Sequence, residues 1–463
     1  MREPGAILLI ACYELGHQPL AVARPAAFLE REGYRPAVMD VSVEPFDPEK
    51  AARARLVAIS VPMHTALRLG ATVAERVRAV NPAVHLCFYG LYASLNAEYL
   101  LAHGGDSVLA GEVETPLVEL VRALESGGDR PAPGIRRAGQ PARPHLAKLA
   151  FPIPSRAPLP SLKRYAQLQR GDRLELAGYV EASRGCKHRC RHCPIPPVYG
   201  GRFFVVPREV VLADVRQLVA AGAAHVTFGD PDFLNGPGHA LAVARALHAE
   251  FPQVTFDFTA KVEHLVRQRR HLPELAALGC AFIVTAVESL SDTVLAHLDK
   301  GHTRADVVDV VRLVREAGIA LRPTWVAFTP WTTLADYRAM LDFVEAEGLI
   351  DHVDPVQYSL RLLVPPGSLL VESPAMRPWL GELIEDAFHY RWTHPDPRMD
   401  TLQEAVTRLV EGAAESGEDA AVSFDRVSAL ADAAAGVSGR ASVADRLAPD
   451  RARPPRLTEP WFC

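Results

Sequence analysis

No stretch of this 463-residue chain has the length and apolar character of a membrane span; the longest apolar runs, 6–12 and 56–61, are strand-sized. The N-terminus, Met1-Arg2-Glu3-Pro4-Gly5, lacks the cleavage pattern of a secretory signal. Neither sign of charge dominates: 50 basic and 55 acidic residues are interspersed, for a net charge of −5, which argues against a global attraction to nucleic acid. Internal repeats of solenoid type are missing. Seven cysteines in a chain of this size are not a secreted disulfide framework. These absences point to a cytoplasmic protein with no membrane partner. The length implies two or three domains.

What is present is an alternation of short β-branched runs with longer amphipathic ones. In the first 125 residues, 7–11, 37–41, 57–61, 86–89 and 108–110 read as strands, with helical spacing near 20–32, 66–80, 93–103 and 113–125. Such alternation predicts a doubly wound α/β, Rossmann-like domain over 1–125, with ligands at the carboxyl ends of its strands. Prolines 131, 133, 141, 144, 152, 154, 158 and 160 make 126–175 a linker. Leu146, Phe151, Ile153 and Leu159 are its expected anchors. A second strand–helix series follows, with strands at 178–183, 225–229, 255–259, 282–287, 320–327 and 355–360. Six units predict a partial (β/α)6 barrel over 176–370, with chemistry at the strands' carboxyl ends. A mainly helical, Ala-rich region (371–450) and a mobile tail (451–463) complete the chain.

Three of the seven cysteines fall in one octapeptide, Cys186-Lys187-His188-Arg189-Cys190-Arg191-His192-Cys193, directly after the first barrel strand. The basic side chains among them favour thiolates. Three thiolates on one short loop suit an iron–sulfur cluster with one open iron. A structural zinc ion with His188 or His192 as fourth ligand is the alternative that the spacing favours less. Position separates the two, because a loop at the carboxyl end of a barrel strand is where catalysis is expected. Cys12, Cys87 and Cys280 are isolated in apolar contexts and read as core residues.

From about 178 to 370 the chain resembles the radical S-adenosylmethionine superfamily. The cysteine triad has that spacing, and His192 stands where the family has an aromatic residue. Gly229-Asp230-Pro231 takes the place of a Gly-Gly-Glu-like motif that meets the methionine amino group, with one glycine fewer and a shorter acid. Glu288 matches an acid that contacts the adenosyl part, and the stretch 295–301 (Leu-Ala-His-Leu-Asp-Lys-Gly) is typical. Lys261 is placed to meet the methionine carboxylate, and the segments 357–361 and 365–368 match the close of the barrel. The resemblance implies a [4Fe–4S] cluster on Cys186, Cys190 and Cys193, S-adenosylmethionine on the open iron, and reductive cleavage to a 5′-deoxyadenosyl radical. It also implies a low-potential electron donor such as flavodoxin or ferredoxin.

The first 125 residues are similar to the cobalamin-binding domain that precedes the barrel in one branch of this superfamily. The likeness rests on 57–62, 87–92 and 106–114. Ser60 and Gly90 are placed to approach a tetrapyrrole. The pattern D-x-H-x-x-G, whose histidine ligates cobalt, is missing; His17, in Cys12-Tyr13-Glu14-Leu15-Gly16-His17, is the residue nearest to that place. With cobalamin bound, the expected reaction is a methyl transfer. A cobalamin-independent radical enzyme and a non-catalytic cobalamin- or zinc-binding sensor are the alternatives. The ending, Leu457-Thr458-Glu459-Pro460-Trp461-Phe462-Cys463, resembles an uncharacterised group of radical enzymes with a CUAEP or CCAEP tail. It predicts a selenocysteine codon directly after Cys463.

Overall fold

The computed structural model describes residues 1–127 and 132–459. Strands β1 (Ile7–Ala11), β2 (Ala37–Asp40), β3 (Leu56–Ser60), β4 (His85–Tyr89) and β5 (Ser107–Leu109) are parallel, and β6 (Ile135–Arg136) pairs antiparallel with β5. Their order is β2-β1-β3-β4-β5-β6. Every residue of β1 and β3 is buried, as apolar runs without alternation require when helices cover both faces of a sheet. The order reverses between β1 and β3, so their carboxyl ends flank a crevice. Ser60 is the last residue of β3, and Gly90 follows β4 directly.

The linker beyond residue 132 is irregular but fastened. Phe151 is buried as expected, whereas Ile153 is 49% exposed. The anchor on that stretch is instead Arg156. It donates to Asp214 at 2.5 and 2.8 Å, to the Gln18 side chain at 2.9 Å and to the Tyr179 carbonyl at 2.6 Å.

The second unit begins with an antiparallel pair, β7 (Gln167–Arg170) and β8 (Arg173–Val180), and a small ribbon of β9 (Ser183–Gly185) and β10 (Phe203–Val205). β8 then pairs parallel with β11 (His225–Phe228), followed by β12 (Thr255–Ala260), β13 (Cys280–Glu288) and β14 (Ala320–Trp325). The expected first strand therefore starts earlier and ends at Val180, with Ser183 in the ribbon. The expected sixth strand does not form: Pro355–Tyr358 is a 3₁₀ turn. Its glutamine replaces the missing ladder, because the Trp325 amide donates to Gln357 Oε1 at 2.9 Å. A single parallel bridge, Phe328 to Arg361, continues past the strand end. The sheet is thus an open half-barrel.

Two further elements escape the periodicity of the sequence. A hairpin of β15 (Leu380–Ile384) and β16 (His389–Trp392) interrupts the C-terminal region before the helices Pro397–Ser416 and Ala420–Ala435. The hairpin turn reaches the first unit, where Phe388 packs edge-on against Tyr99. Residues 451–459, expected to be mobile, are tied down. Arg451 bonds Asp351 at 2.6 and 2.7 Å, and β17 (Arg456–Leu457) pairs antiparallel with β7. Tyr13 Oη donates to Glu459 at 2.5 Å, which brings this segment back to the first unit. Pro460 to Cys463 lie outside the described residues.

Candidate functional site

The cysteine loop leaves the sheet at the carboxyl end of β8 through β9. Gly185 makes the turn at φ 72°; a Cβ there would lie 2.4 Å from the Arg202 carbonyl and 2.7 Å from the Tyr199 ring. Cys186 and Cys190 are buried and Cys193 is half-buried. Burial pushes the Cys193 thiol up to about 12 and raises Cys186 as well. For these two thiols burial outweighs the surrounding positive charge that favours thiolates. Lys187 Nζ donates to the Asn235 carbonyl at 2.7 Å, and Arg189 to the Gly200 carbonyl at 2.9 Å. A metal displacing these protons would supply the missing counter-charge.

Next to the loop, β13 ends in Glu288 at φ 64°, a left-handed residue beside a register shift against β14. Its Oε1 lies 3.2 Å from His192 Nε2 and 3.0 Å from Lys300 Nζ. Burial alone would raise this carboxyl; the Lys300 charge and the His192 contact outweigh it and hold it well below the usual carboxylate range. Burial likewise works against the Lys300 ammonium, and Glu288 reverses that too. Lys300 lies in the recognised stretch 295–301, but only the fold shows its ion pair.

Asp230, just beyond β11, has both oxygens bonded inside the protein. Its two oxygens accept from the Ser183 hydroxyl and from the Ala182 amide, the latter at 2.9 Å. Burial outweighs these bonds and raises its carboxyl to about 7. Asp230 thereby ties β11 to the approach of the cysteine loop. Gly229 beside it admits no side chain, since a Cβ would sit 2.1 Å from the Tyr179 hydroxyl. Lys261 is buried and lies 3.6 Å from Glu263.

A cavity of ≈ 210 Å³ opens between the two units. Ser60, Gly90 and Glu114 line it from the first, and Arg184, Tyr199, Gly229 and Pro231 from the second. Ser60 Oγ is buried with no hydrogen-bond partner, and Gly90 has φ 110° with the Val61 carbonyl 2.8 Å from any added Cβ. These are features of a cradle for a ligand approaching backbone. Arg184 spans the floor, 3.2 Å from Glu112, 2.6 Å from Glu114 and 3.0 Å from Glu181. Burial raises Glu112, which Tyr199 Oη also contacts at 2.8 Å. Burial acts the same way on Glu114, but Arg184 holds that carboxyl low.

His17 does not line this cavity. It is buried, stacked on Tyr179 with ring centroids 4.4 Å apart, and burial lowers its imidazole to about 4. The geometry thus brings Ser60, Gly90, Gly229 and Pro231 together, sets His192 and Glu288 beside the cysteine loop, and leaves His17 apart.

The chemistry of the loop fits an iron–sulfur cluster: three sulfur donors in one octapeptide, with no carboxylate among them. Of the two candidate fourth ligands for zinc, His188 has Nδ1 3.5 Å from Glu263 and Nε2 3.2 Å from His264, while His192 turns Nε2 to Glu288 and keeps an unpartnered Nδ1. For a tetrapyrrole the cradle fits in kind, although ≈ 210 Å³ is below the roughly 300–1,000 Å³ of pockets for drug-sized ligands.

A doubly wound sheet joined to a half-barrel whose first strand delivers three cysteines defines a two-unit α/β class. Family models agree: the Radical SAM superfamily matches residues 180–331, and the B12 binding domain matches 6–121. The chain therefore carries a radical SAM segment behind a B12-binding segment, and the radical SAM match implies a [4Fe–4S] cluster and S-adenosylmethionine. The ribosomal protein uS12 methylthiotransferase RimO of Geobacter sulfurreducens is 28% identical over 39% of this chain and 42% of its own length. The chain thus spans less than half of that relative. Among solved structures, the cobalamin-dependent S-adenosylmethionine radical enzyme OxsB, with aqua-cobalamin and S-adenosylmethionine bound, aligns with TM-score 0.69 at 15% identity. That alignment covers 88% of this chain and 67% of OxsB. The radical S-adenosylmethionine methyltransferase TsrM of Kitasatospora setae aligns with TM-score 0.61 at 20% identity, over 74% of this chain and 71% of TsrM. At these identities the two structures speak for the fold. No helix among the described residues is long and apolar enough to cross a membrane.

Proposed function

We propose that the protein is a radical S-adenosylmethionine enzyme that works with cobalamin and transfers a methyl group to its substrate. The observation that carries this reading is the shared cavity, walled by Ser60 and Gly90 of the B12-binding segment and by Gly229 and Pro231 of the half-barrel. Cys186, Cys190 and Cys193 hold the cluster. Gly229, Asp230, Pro231 and Lys261 surround the methionine end of S-adenosylmethionine, and Glu288 with His192 the adenosyl side. When bound, the cluster and S-adenosylmethionine supply a 5′-deoxyadenosyl radical by reductive cleavage, and cobalamin supplies a methyl carrier. The chain's own part is to position both and to exclude water between its two units. Support for methyl transfer comes from relatives named as methylthiotransferases and methyltransferases. His17, buried and stacked on Tyr179, lies outside the lining of the shared cavity.

In this reading the electron comes from a low-potential donor such as flavodoxin or ferredoxin, and the enzyme works in the cytoplasm. The tail of CUAEP or CCAEP type rests on residues 457–463 alone, and the codon after the one for Cys463 tests it. The small volume of the cavity favours, as second reading, a radical enzyme that works without cobalamin. Anaerobic reconstitution with iron, sulfide and cobalamin, then reduction in the presence of S-adenosylmethionine, decides. About four irons with cobalt near one, and release of 5′-deoxyadenosine, are expected. Iron without cobalt selects the second reading, and zinc in place of iron refutes both.

A further inference from the structure

Beside the cysteine loop, on the side where His188 points, three potential ligands converge that the proposed reaction does not use. Asp232 follows the Gly229-Asp230-Pro231 turn, and His264 lies on the helix Val262–Arg267 after β12. One ligand atom from each of His188, Asp232 and His264 lies within 4.8 Å of the others. His188 Nε2 is 3.2 Å from His264 Nε2 and 3.9 Å from Asp232 Oδ2. Asp232 Oδ2 is in turn 2.6 Å from His264 Nδ1.

One hydrogen bond joins the facing Nε2 atoms of His188 and His264, but the Asp232 carboxylate is left out of it. Asp232 is fully buried, and one of its oxygens is satisfied by the Leu234 amide at 3.1 Å. The other, Oδ2, has no hydrogen-bond donor despite its short contact with His264, whose Nδ1 is buried and likewise unbonded. The contact is short, but the ring N–H direction does not serve it. An unsatisfied buried carboxylate oxygen is costly, and a cation shared with the neighbouring nitrogens removes that cost. Glu263 Oε2, 3.5 Å from His188 Nδ1, is placed to accept that nitrogen's proton and leave Nε2 bare, the arrangement that orients ligand histidines in metal sites. Lys261 pairs with Glu263, 3.6 Å away.

We infer that His188, Asp232 and His264 form a mononuclear site for a divalent first-row transition ion, distinct from the cluster. Two imidazoles and one carboxylate are a donor set for Zn²⁺ or Fe²⁺ and not for Ca²⁺ or Mg²⁺, which take oxygen. The ion ties three segments together: the cysteine loop through His188, the turn after β11 through Asp232, and the helix after β12 through His264. It is a clamp on the loop that carries the cluster ligands.

The test uses the full chain with its cluster already reconstituted, so that the three cysteines are occupied. One equivalent of Zn²⁺ is added, the protein is passed through a desalting column, and iron and zinc are counted. A chromophoric chelator in competition then gives the affinity. The native protein should retain about one zinc per chain with its iron count unchanged. His264→Ala and Asp232→Asn should each weaken zinc binding at least tenfold, about the range known for disturbed metal sites, with iron and far-ultraviolet circular dichroism preserved. If Asp232→Asn disturbs the turn it caps, His264→Gln, which leaves that turn alone, carries the comparison. Failure of the native protein to retain zinc overturns the inference. So does equal retention by the His264 variants. Neither result touches the iron count on which the proposed reaction stands.

Discussion

Arg184→Met severs the tie between the two units without emptying its place. The native guanidinium contacts Glu112, Glu114 and Glu181 at 3.2, 2.6 and 3.0 Å, and the Glu112 and Glu114 side chains have no solvent exposure. Methionine retains apolar contact with Phe151, over whose ring the guanidinium now sits at 5.4 Å. It leaves two buried carboxylates side by side, with the Tyr199 hydroxyl bonded only to Glu112. Breaking a buried pair by removing one partner costs about 3–5 kcal/mol. Arg24, whose charge also acts on Glu114, offsets part of this, so a loss of about 3 kcal/mol at pH 8 is expected. The pH dependence follows from the sign of the shifts. Without Arg184, burial raises both carboxyls in the folded protein above their unfolded values, so the folded state holds protons that the unfolded state releases. Stability of the variant then falls as pH rises above the ordinary carboxylate range, by up to about 1.4 kcal/mol per pH unit for each proton. Urea denaturation at pH 5 and pH 8 reads this directly. The double variant Arg184→Met/Glu114→Gln should recover more than half of the loss. A loss below about 1 kcal/mol at pH 8, or an equal loss at both pH values, would refute the reasoning.

Three further outcomes are expected. Asp230, raised from 3.8 to about 7, gives stability that is complete below pH 4 and is lost as pH rises through 7. Thermal midpoints of Asp230→Asn measured between pH 4 and 8 should lack that decline, and a decline parallel to the native one counts against the buried-proton account. Gly229→Ala drives a Cβ into Tyr179 and should destabilise by about 1–3 kcal/mol, with Gly229→Ala/Tyr179→Ala relieving the clash. An unchanged unfolding midpoint in the single variant contradicts the packing described. Arg156→Ala strands the buried Asp214 carboxylate and should lose about 3–5 kcal/mol in chemical denaturation. Removing Asp214 as well should make the two losses non-additive, and simple additivity would mean the linker is not anchored there.

The elements legible in the sequence are those specified by local pattern. The strand–helix alternation, the linker and the cysteine loop are each contained within a few dozen consecutive residues, and periodicity or spacing suffices to find them. What escaped depends on partners far away in the chain. Pro355–Tyr358 has the residues of a strand, yet it faces a neighbour that a side chain, Gln357, already caps. The Lys300–Glu288 pair needs the register of β13 before its burial is visible. Asp232 and His264 look like ordinary polar residues until two strand ends bring them to His188. Arg184 meets Glu112 and Glu114 only across the two units. The place of His17 was not legible either. Sequence position put it near a familiar motif, whereas the aromatic face of Tyr179 decides where its ring lies.

The pairing of β17 with β7 joins Arg456 to Gln169, side chains that lie 287 residues apart in the chain. During synthesis the outer edge of the half-barrel must therefore wait for nearly the whole second unit to emerge from the ribosome. At 5–20 residues per second that interval is roughly 15–60 s. Throughout it β7 presents an unpaired edge, the surface on which nascent chains aggregate or recruit chaperones. The half-barrel, begun by its first hairpin, is sealed only when Arg456 and Leu457 arrive, so translation itself sets the order in which the fold is finished.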